Sequence, residues 1–298
     1  MRSVAGPAGR TTAREAVAAA LPRHAAAVVP AVLVAASGVL LFGLGQPVPG
    51  YLALAGALLV AAALGATVLG PATAQGWRGP RWALLRDLSL IALGVVVMSV
   101  TPVNTEVTDA HIVRMGSAMV LAVGLPYLVS RHVYRDHAIR FPLRAGRWTR
   151  FERVWLVAIV GIGYALLPVY MIRTGVYENW PAVSDAEGVA RLFVGTNALG
   201  IWDELFFVCT CFTLLRRHLA DWQANLVQAA LFTSFLHELG FHAWGPYLIF
   251  PFALVQGYTF KVTRSLTYIV CVHLLFDLVL FGVLVHAHNR AWLDVFVY

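Results

Sequence analysis

The chain is poor in charge, in cysteine and in lysine, and each scarcity removes a class of protein. Only 12% of its 298 residues are charged while 59% are hydrophobic, with a mean hydropathy of +0.73. That composition excludes a disordered chain and an ordinary soluble enzyme. The three cysteines, Cys209, Cys211 and Cys271, all fall in apolar stretches. They supply neither a disulfide framework nor a cysteine-rich metal site. Lys261 is the single lysine among many arginines and alanines, a composition typical of a high-GC bacterium. No internal repeat is visible, so an inverted-repeat carrier finds no support. No RNA- or DNA-binding module accompanies the arginines, and nucleic acid is not an expected partner.

What the chain does have is long apolar runs. Nine of them, centred on Ala25–Gly45, Tyr51–Gly70, Leu88–Val103, Met115–Ser130, Val154–Ile172, Asn197–Leu215, Ala224–Trp244, Pro246–Phe260 and Ser265–His288, approach the roughly 20 residues that a helix needs to cross a bilayer. The expected fold is therefore all-α, a polytopic transmembrane bundle of eight or nine spans. Trp82, Trp148, Trp155, Trp180, Trp222 and Trp244 sit near predicted span ends, where amphipathic rings favour the headgroup zone.

The formal charge of +7 is unevenly placed. Arginine collects in the N-terminal tail (Arg2, Arg10, Arg14, Arg23), in the Gly76–Arg86 loop, between Arg131 and Arg153, and at Arg216, Arg217 and Arg264. The alternate loops hold Glu106, Asp109, Glu178, Asp185 and Glu187, with Arg114, Arg173 and Arg191 on that minority side. Basic loops mark the cytoplasmic side. The bias predicts a plasma-membrane protein with a cytoplasmic N-terminus, its arginines facing anionic headgroups. Three regions follow: a basic tail over 1–23, an apolar scaffold over 24–150, and a core over 151–298 that carries the polar chemistry. Residues 179–196 read as a polar connector containing a short interfacial helix over Ser184–Phe193.

From Asn197 onward the apolar spans contain Asp203, Glu204, His237, Glu238, His242, His273 and Asp277. An ionisable group near the bilayer centre costs at least about 2.5 kcal/mol, so such groups turn inward, pair and serve function. His273 and Asp277, four apart, share a helix face. Asp203 and Glu204 point about 100° apart, so one aims at a given point while the other flanks it. A carboxylate facing an imidazole across a small cavity suits water activation, and a second His with a carboxyl group suits an oxyanion. The same residue types also suit a divalent metal such as zinc, for which His237, His273, Glu204 and Asp277 are the candidate ligands. Spacing leaves these two alternatives open.

The run HELGFH, His237 to His242, differs from the HExxH of zinc proteases. Its histidines are five apart, about 140° out of register on a helix. Glu238 and His242, four apart, are the expected pair there.

The order of carboxylate pair, His, and HxxxN/D over the last spans resembles the CAAX prenyl protease and bacteriocin-processing family of intramembrane proteases, CPBP or Abi. Its motifs are EExxxR, FxxxH and HxxxN or HxxxD. Here the third is HLLFD, with His273 and Asp277; the second keeps His237 with Thr233 in place of Phe; the first reads DELFFV, with Asp203 for Glu and Val208 for Arg. The resemblance covers roughly Asn197–Leu284. It implies an integral membrane endopeptidase in which Asp203 and His237 activate water, Glu204 stands beside them, and His273 and Asp277 hold the oxyanion. Membrane lipids and a hydrophobic or lipidated peptide are the implied partners. The departures at Asp203 and Val208 motivate an alternative, a catalytically impaired relative that binds such a peptide. The intramembrane carboxylates alone motivate a third, an ion-coupled carrier.

Overall fold

The computed structural model describes residues 13–67, 76–143 and 146–298, and among them it is all-helical. Arg2, Arg10 and Arg144, and with them much of the expected basic tail, lie outside the described residues. The main helices are α1 (Ala13–Gly38), α2 (Pro47–Thr67), α3 (Ala83–Ser99), α4 (Asp109–Leu128), α5 (Arg150–Arg173), α6 (Ala186–Asp203), α7 (Asp221–Leu239), α8 (Gly245–Thr263) and α9 (Leu266–His288). Wider π-helical turns extend α1 through Gly43 and α4 through Tyr134. They also carry α6 from Glu204 to Phe212, before a last turn at Thr213–Leu215.

Seven of these helices are long and apolar enough to cross a membrane; α7 and α8, of 19 residues each, complete the bundle. α7 is the more polar because it is central: it packs on α1, α6 and α8, and Ala224, Gln228, Leu231, Phe232 and Phe235 are fully or almost fully buried. In lipid, polar side chains join helices rather than weaken them. Asn225 Nδ2 donates to the Leu254 carbonyl (2.9 Å) and Gln228 Nε2 to the Ala253 carbonyl (2.9 Å), fastening α7 to α8.

The boundaries follow local chemistry. Thr108 caps α4 through His111 N, Thr149 and Glu152 form a reciprocal capping box at α5, and Ser265 caps α9 through Tyr268 N. Asp185 caps α6 by accepting from Gly188 N (2.8 Å). The helix begins there and runs unbroken, so the expected interfacial helix over Ser184–Phe193 is instead the first turns of a 30-residue rod, Ala186–Leu215. α7 stops earlier than its apolar run because Gly240 takes φ +122°, a conformation favouring glycine.

The expected scaffold region also carries a buried charge. Asp87 on α3 is buried; its Oδ2 is 2.6 Å from His218 Nε2 and its Oδ1 accepts from Arg217 Nη1 at 2.9 Å. Arg217 Nη2 also donates to Asp136 Oδ2 (3.0 Å), and Arg216 Nε meets Asp221 Oδ1 at 3.0 Å. Two of the arginines read as headgroup contacts thus lock the end of the α6 rod to α3, to the end of α4 and to α7. Removing a buried partner strands the others. Asp87→Ala is expected to cost about 3 kcal/mol, and the partly exposed Asp136→Asn about 1 kcal/mol or less. Thermal unfolding in detergent checks this: equal midpoints for the two variants exclude Asp87 as the centre of the network.

Candidate active site

The polar centre is built where α6 crosses α9. Gly200 permits the crossing: a Cβ there would lie 2.1 Å from Asp277 Oδ2 and 3.0 Å from His273 Cδ2. The small residue lets two helices approach at the point where their ionisable groups face each other. Beyond Asp203 the helix widens into its π-helical stretch. Thr210 Oγ1 donates to the Leu205 carbonyl (2.9 Å) and Thr213 Oγ1 to that of Val208 (3.3 Å), both five residues back, in register with the π winding. Such segments recur at functional sites because they re-aim side chains without ending the helix.

Asp203, Glu204, His273 and Asp277 are all buried, at 1%, 0%, 4% and 5% exposure. They converge on the imidazole of His273. Glu204 Oε1 is 2.7 Å from His273 Nδ1, while Asp203 Oδ2 and Asp277 Oδ1 stand 3.9 and 3.7 Å from Nε2. The adjacent carboxylates of α6 therefore do not divide into one that aims and one that flanks. They bracket the two nitrogens of a single ring. Glu204 Oε1 also accepts from Gln256 Nε2 (2.6 Å), and the same amide donates to the Ile269 carbonyl (3.1 Å). Gln256 thus fixes Glu204 from α8. Its signal in the sequence is a lone amide inside the apolar run Pro246–Phe260, a position that an inward-facing partner explains.

The ring is walled by Phe252, edge-on at 5.1 Å between centroids, and by Phe232 at 6.0 Å. On the other side Trp202 stacks on Phe206 (5.2 Å), and its Nε1 donates to the Met119 carbonyl (2.8 Å), orienting the turn that bears Asp203. Val208, the position of the family's Arg, is fully buried and apolar. Among the described residues no Lys or Arg pairs with the three carboxylates, and His273 is their shared basic partner.

A cavity of about 30 Å³ reaches His273 and Asp277, walled by Leu236, Phe241, Phe252, Phe276 and Leu280. That is room for a water. Asp203 Oδ1, Glu204 Oε2 and Asp277 Oδ2 are buried without a protein hydrogen bond. At 3.7–3.9 Å from Nε2, Asp203 and Asp277 are beyond direct hydrogen-bond reach of it.

His237 is not part of this convergence. It lies at the end of α7 with its ring 4.8 Å from that of His242, and its Nδ1 has no hydrogen-bond partner among the described residues. The expected Glu238–His242 pair does not form either. Gly240 ends the helix between them, Asn179 Nδ2 stands 3.4 Å from His242 Nδ1, and Glu238 Oε2 is left without a partner. The candidate metal set His237, His273, Glu204 and Asp277 is therefore divided. Among the described residues no three His, Cys, Asp or Glu side chains form a metal-binding group. Glu204 Oε1 and His273 Nδ1 spend their facing atoms on each other.

The packing at Gly200 is open to a direct check. Gly200→Ala is expected to push Asp277 from its place at a cost of about 1–3 kcal/mol. An unfolding midpoint in detergent equal to that of the wild type means that α6 and α9 do not cross so closely.

Residues 185–279 match the family model for type II CAAX prenyl endopeptidases, described as Rce1-like. The match begins at the residue that caps α6 and ends just past Asp277, so it takes in the whole polar centre and leaves out residues 1–184. No curated protein and no solved structure matches the chain. The chain is a polytopic membrane protein whose polar core is like that of CAAX proteases.

Proposed function

We propose that the chain is an intramembrane endopeptidase that hydrolyses a peptide bond of a hydrophobic or lipidated substrate, with His273 as the group that activates water. The observation that carries this reading is the Glu204–His273 contact of 2.7 Å, with two further carboxylates set back from the opposite ring nitrogen. A carboxylate that accepts from Nδ1–H fixes the tautomer in which Nε2 holds a lone pair. A water between Nε2, Asp203 and Asp277 gives its proton to Nε2 as its oxygen bonds to the scissile carbonyl carbon. The C–N bond then breaks, and the proton on Nε2 passes to the departing amine. One of the two carboxylates, Asp203 or Asp277, accepts the second O–H of the water and so orients it, and Gln256 keeps Glu204 from turning away. The apolar walls at Leu236, Phe252 and Phe276 suit an apolar stretch of substrate and keep bulk water out.

This assignment differs from the one the family motifs imply, in which Asp203 acts with His237. The separation of His237 from the carboxylates supports the change. It also favours a second reading, a relative that binds the peptide without cutting it, since Val208 supplies no cation beside the pair.

Single substitutions separate these. With membrane-protein fragments of expressing cells as the readout, His273→Ala and Glu204→Gln are expected to reduce cleavage by about 100-fold to 10,000-fold, and His237→Ala by less than about 10-fold. Equal losses for His237→Ala and His273→Ala return the role to the Asp203–His237 pair. Fragments unchanged by all three variants, from protein that still captures an apolar peptide, establish the non-cleaving reading.

A further inference from the structure

A second and larger cavity lies away from the polar centre. It has a volume of about 370 Å³ and opens between α4 and α6, on the side of α6 away from the Gly200 crossing. That size falls in the range of about 300–1,000 Å³ typical of small-molecule sites. α6 packs closely on α9 and only loosely on α4, which leaves the cleft. Its depths are apolar, with Met115, Met119, Leu199 and Leu239 in the walls. Both flanking helices are long and apolar enough to cross the membrane, and Ile112 and Val194 at the rim are exposed, so the opening faces the acyl region of a bilayer.

Two glycines keep the space clear. Gly116 on α4 and Gly195 on α6 both line the cavity, and a Cβ built on either meets no atom within 4 Å. Larger side chains at these positions enter the void rather than the protein. The other end of the cavity is charged. Arg191 is held by Asp109 (2.5 Å) and by Glu187 (2.6 Å), and Arg114 Nη2 stands 3.3 Å from His111 Nδ1. Glu106 lines the same mouth, is exposed, and carries no ion pair among the described residues. The residues lining this mouth include two carboxylates, Glu106 and Glu187, against one guanidinium, Arg191, which leaves it net negative and favours a cation over an anion.

We propose that this cleft is a lipid site: it takes one acyl chain of a membrane phospholipid whose head ends in an ammonium group, and Glu106 receives that ammonium. The chain lies between Gly116 and Gly195, shielded from the bilayer on two sides. The site is separate from the polar centre and does not depend on whether that centre cleaves peptides.

The test uses the full chain in nanodiscs of equimolar phosphatidylethanolamine and phosphatidylglycerol with identical acyl chains, followed by detergent stripping and native mass spectrometry of the retained lipid. Wild type is expected to hold one phosphatidylethanolamine at least about 10-fold over phosphatidylglycerol, roughly a 1.4 kcal/mol preference. Gly116→Leu and Gly195→Leu each fill the cleft and are expected to lower total retained lipid about 10-fold. Glu106→Gln, an exposed change that leaves the fold alone, is expected to keep the retained chain and abolish the preference for the head. Equal retention of the two lipids by wild type overturns the assignment of the head. Retention by the leucine variants equal to that of wild type overturns the site, as does a preference undiminished in Glu106→Gln.

Discussion

Everything specific about this molecule depends on one contact in a poor solvent for charge, the pairing of Glu204 on α6 with His273 on α9. Neither group is tolerable alone at that depth, because a buried ionisable side chain without a partner is among the costliest features a bilayer protein carries. Together they give two apolar helices a reason to meet at one register. The glycine at position 200 lets them meet closely, and Gln256 ties the same carboxylate to a third helix. A hydrophobic drive between helices is absent in lipid, so this polar junction, rather than apolar area, specifies the register at which α6, α8 and α9 meet.

A second polar junction does the corresponding work at the far end of the α6 rod. Asp87 is buried and faces both His218 and Arg217, and Arg217 reaches on to Asp136. α6 is thereby held at both its polar stretch and its end, with the π-helical turns lying between. A wide turn has poorer backbone geometry than an α turn and persists only where its surroundings hold it. The aromatic stack of Trp202, Phe206 and Phe207 and the threonine bonds to carbonyls five residues back supply that hold. This anchoring is the physical reason why two adjacent carboxylates keep fixed positions on either side of one ring.

Much of this was legible in the sequence because membrane insertion is a strong filter. Long apolar runs read as helices, and a lone Asp, His or Glu within them marks an inward face, which is how Asp203, Glu204, His273 and Asp277 came to be named together. What was not legible depended on partners distant along the chain or on winding. Asp87, beside Arg86 at a span end, gives no sign of burial in the sequence until Arg217 and His218 arrive from the end of α6. The start of α6 is hidden because residues 179–196 are polar by composition, whereas the cap at Asp185 and the ion pairs of Arg191 support a helix from Ala186 onward. The bracketing of His273 by neighbours in sequence follows from where α9 crosses and from the turn that begins at Glu204, neither of which a regular helical wheel contains. Motif order groups His237 with the others, but a helix that stops at Gly240 turns it toward His242 instead.

α6 is asymmetric in a way that separates its two surfaces. One face carries Gly200, Asp203 and Glu204 into a tight, polar crossing, and another carries Gly195 and Leu199 into an open, apolar cleft. Glycine serves opposite ends on the two faces: at 200 it removes a Cβ that would collide with Asp277, and at 195 it removes one that would occupy empty space. α6 nonetheless reaches α4 as well: Trp202, beside Asp203, donates its Nε1 to the carbonyl of Met119, a residue that lines the cleft. The open cleft and the close crossing therefore occupy successive stretches of one rod, and the Trp202 bond marks where one gives way to the other.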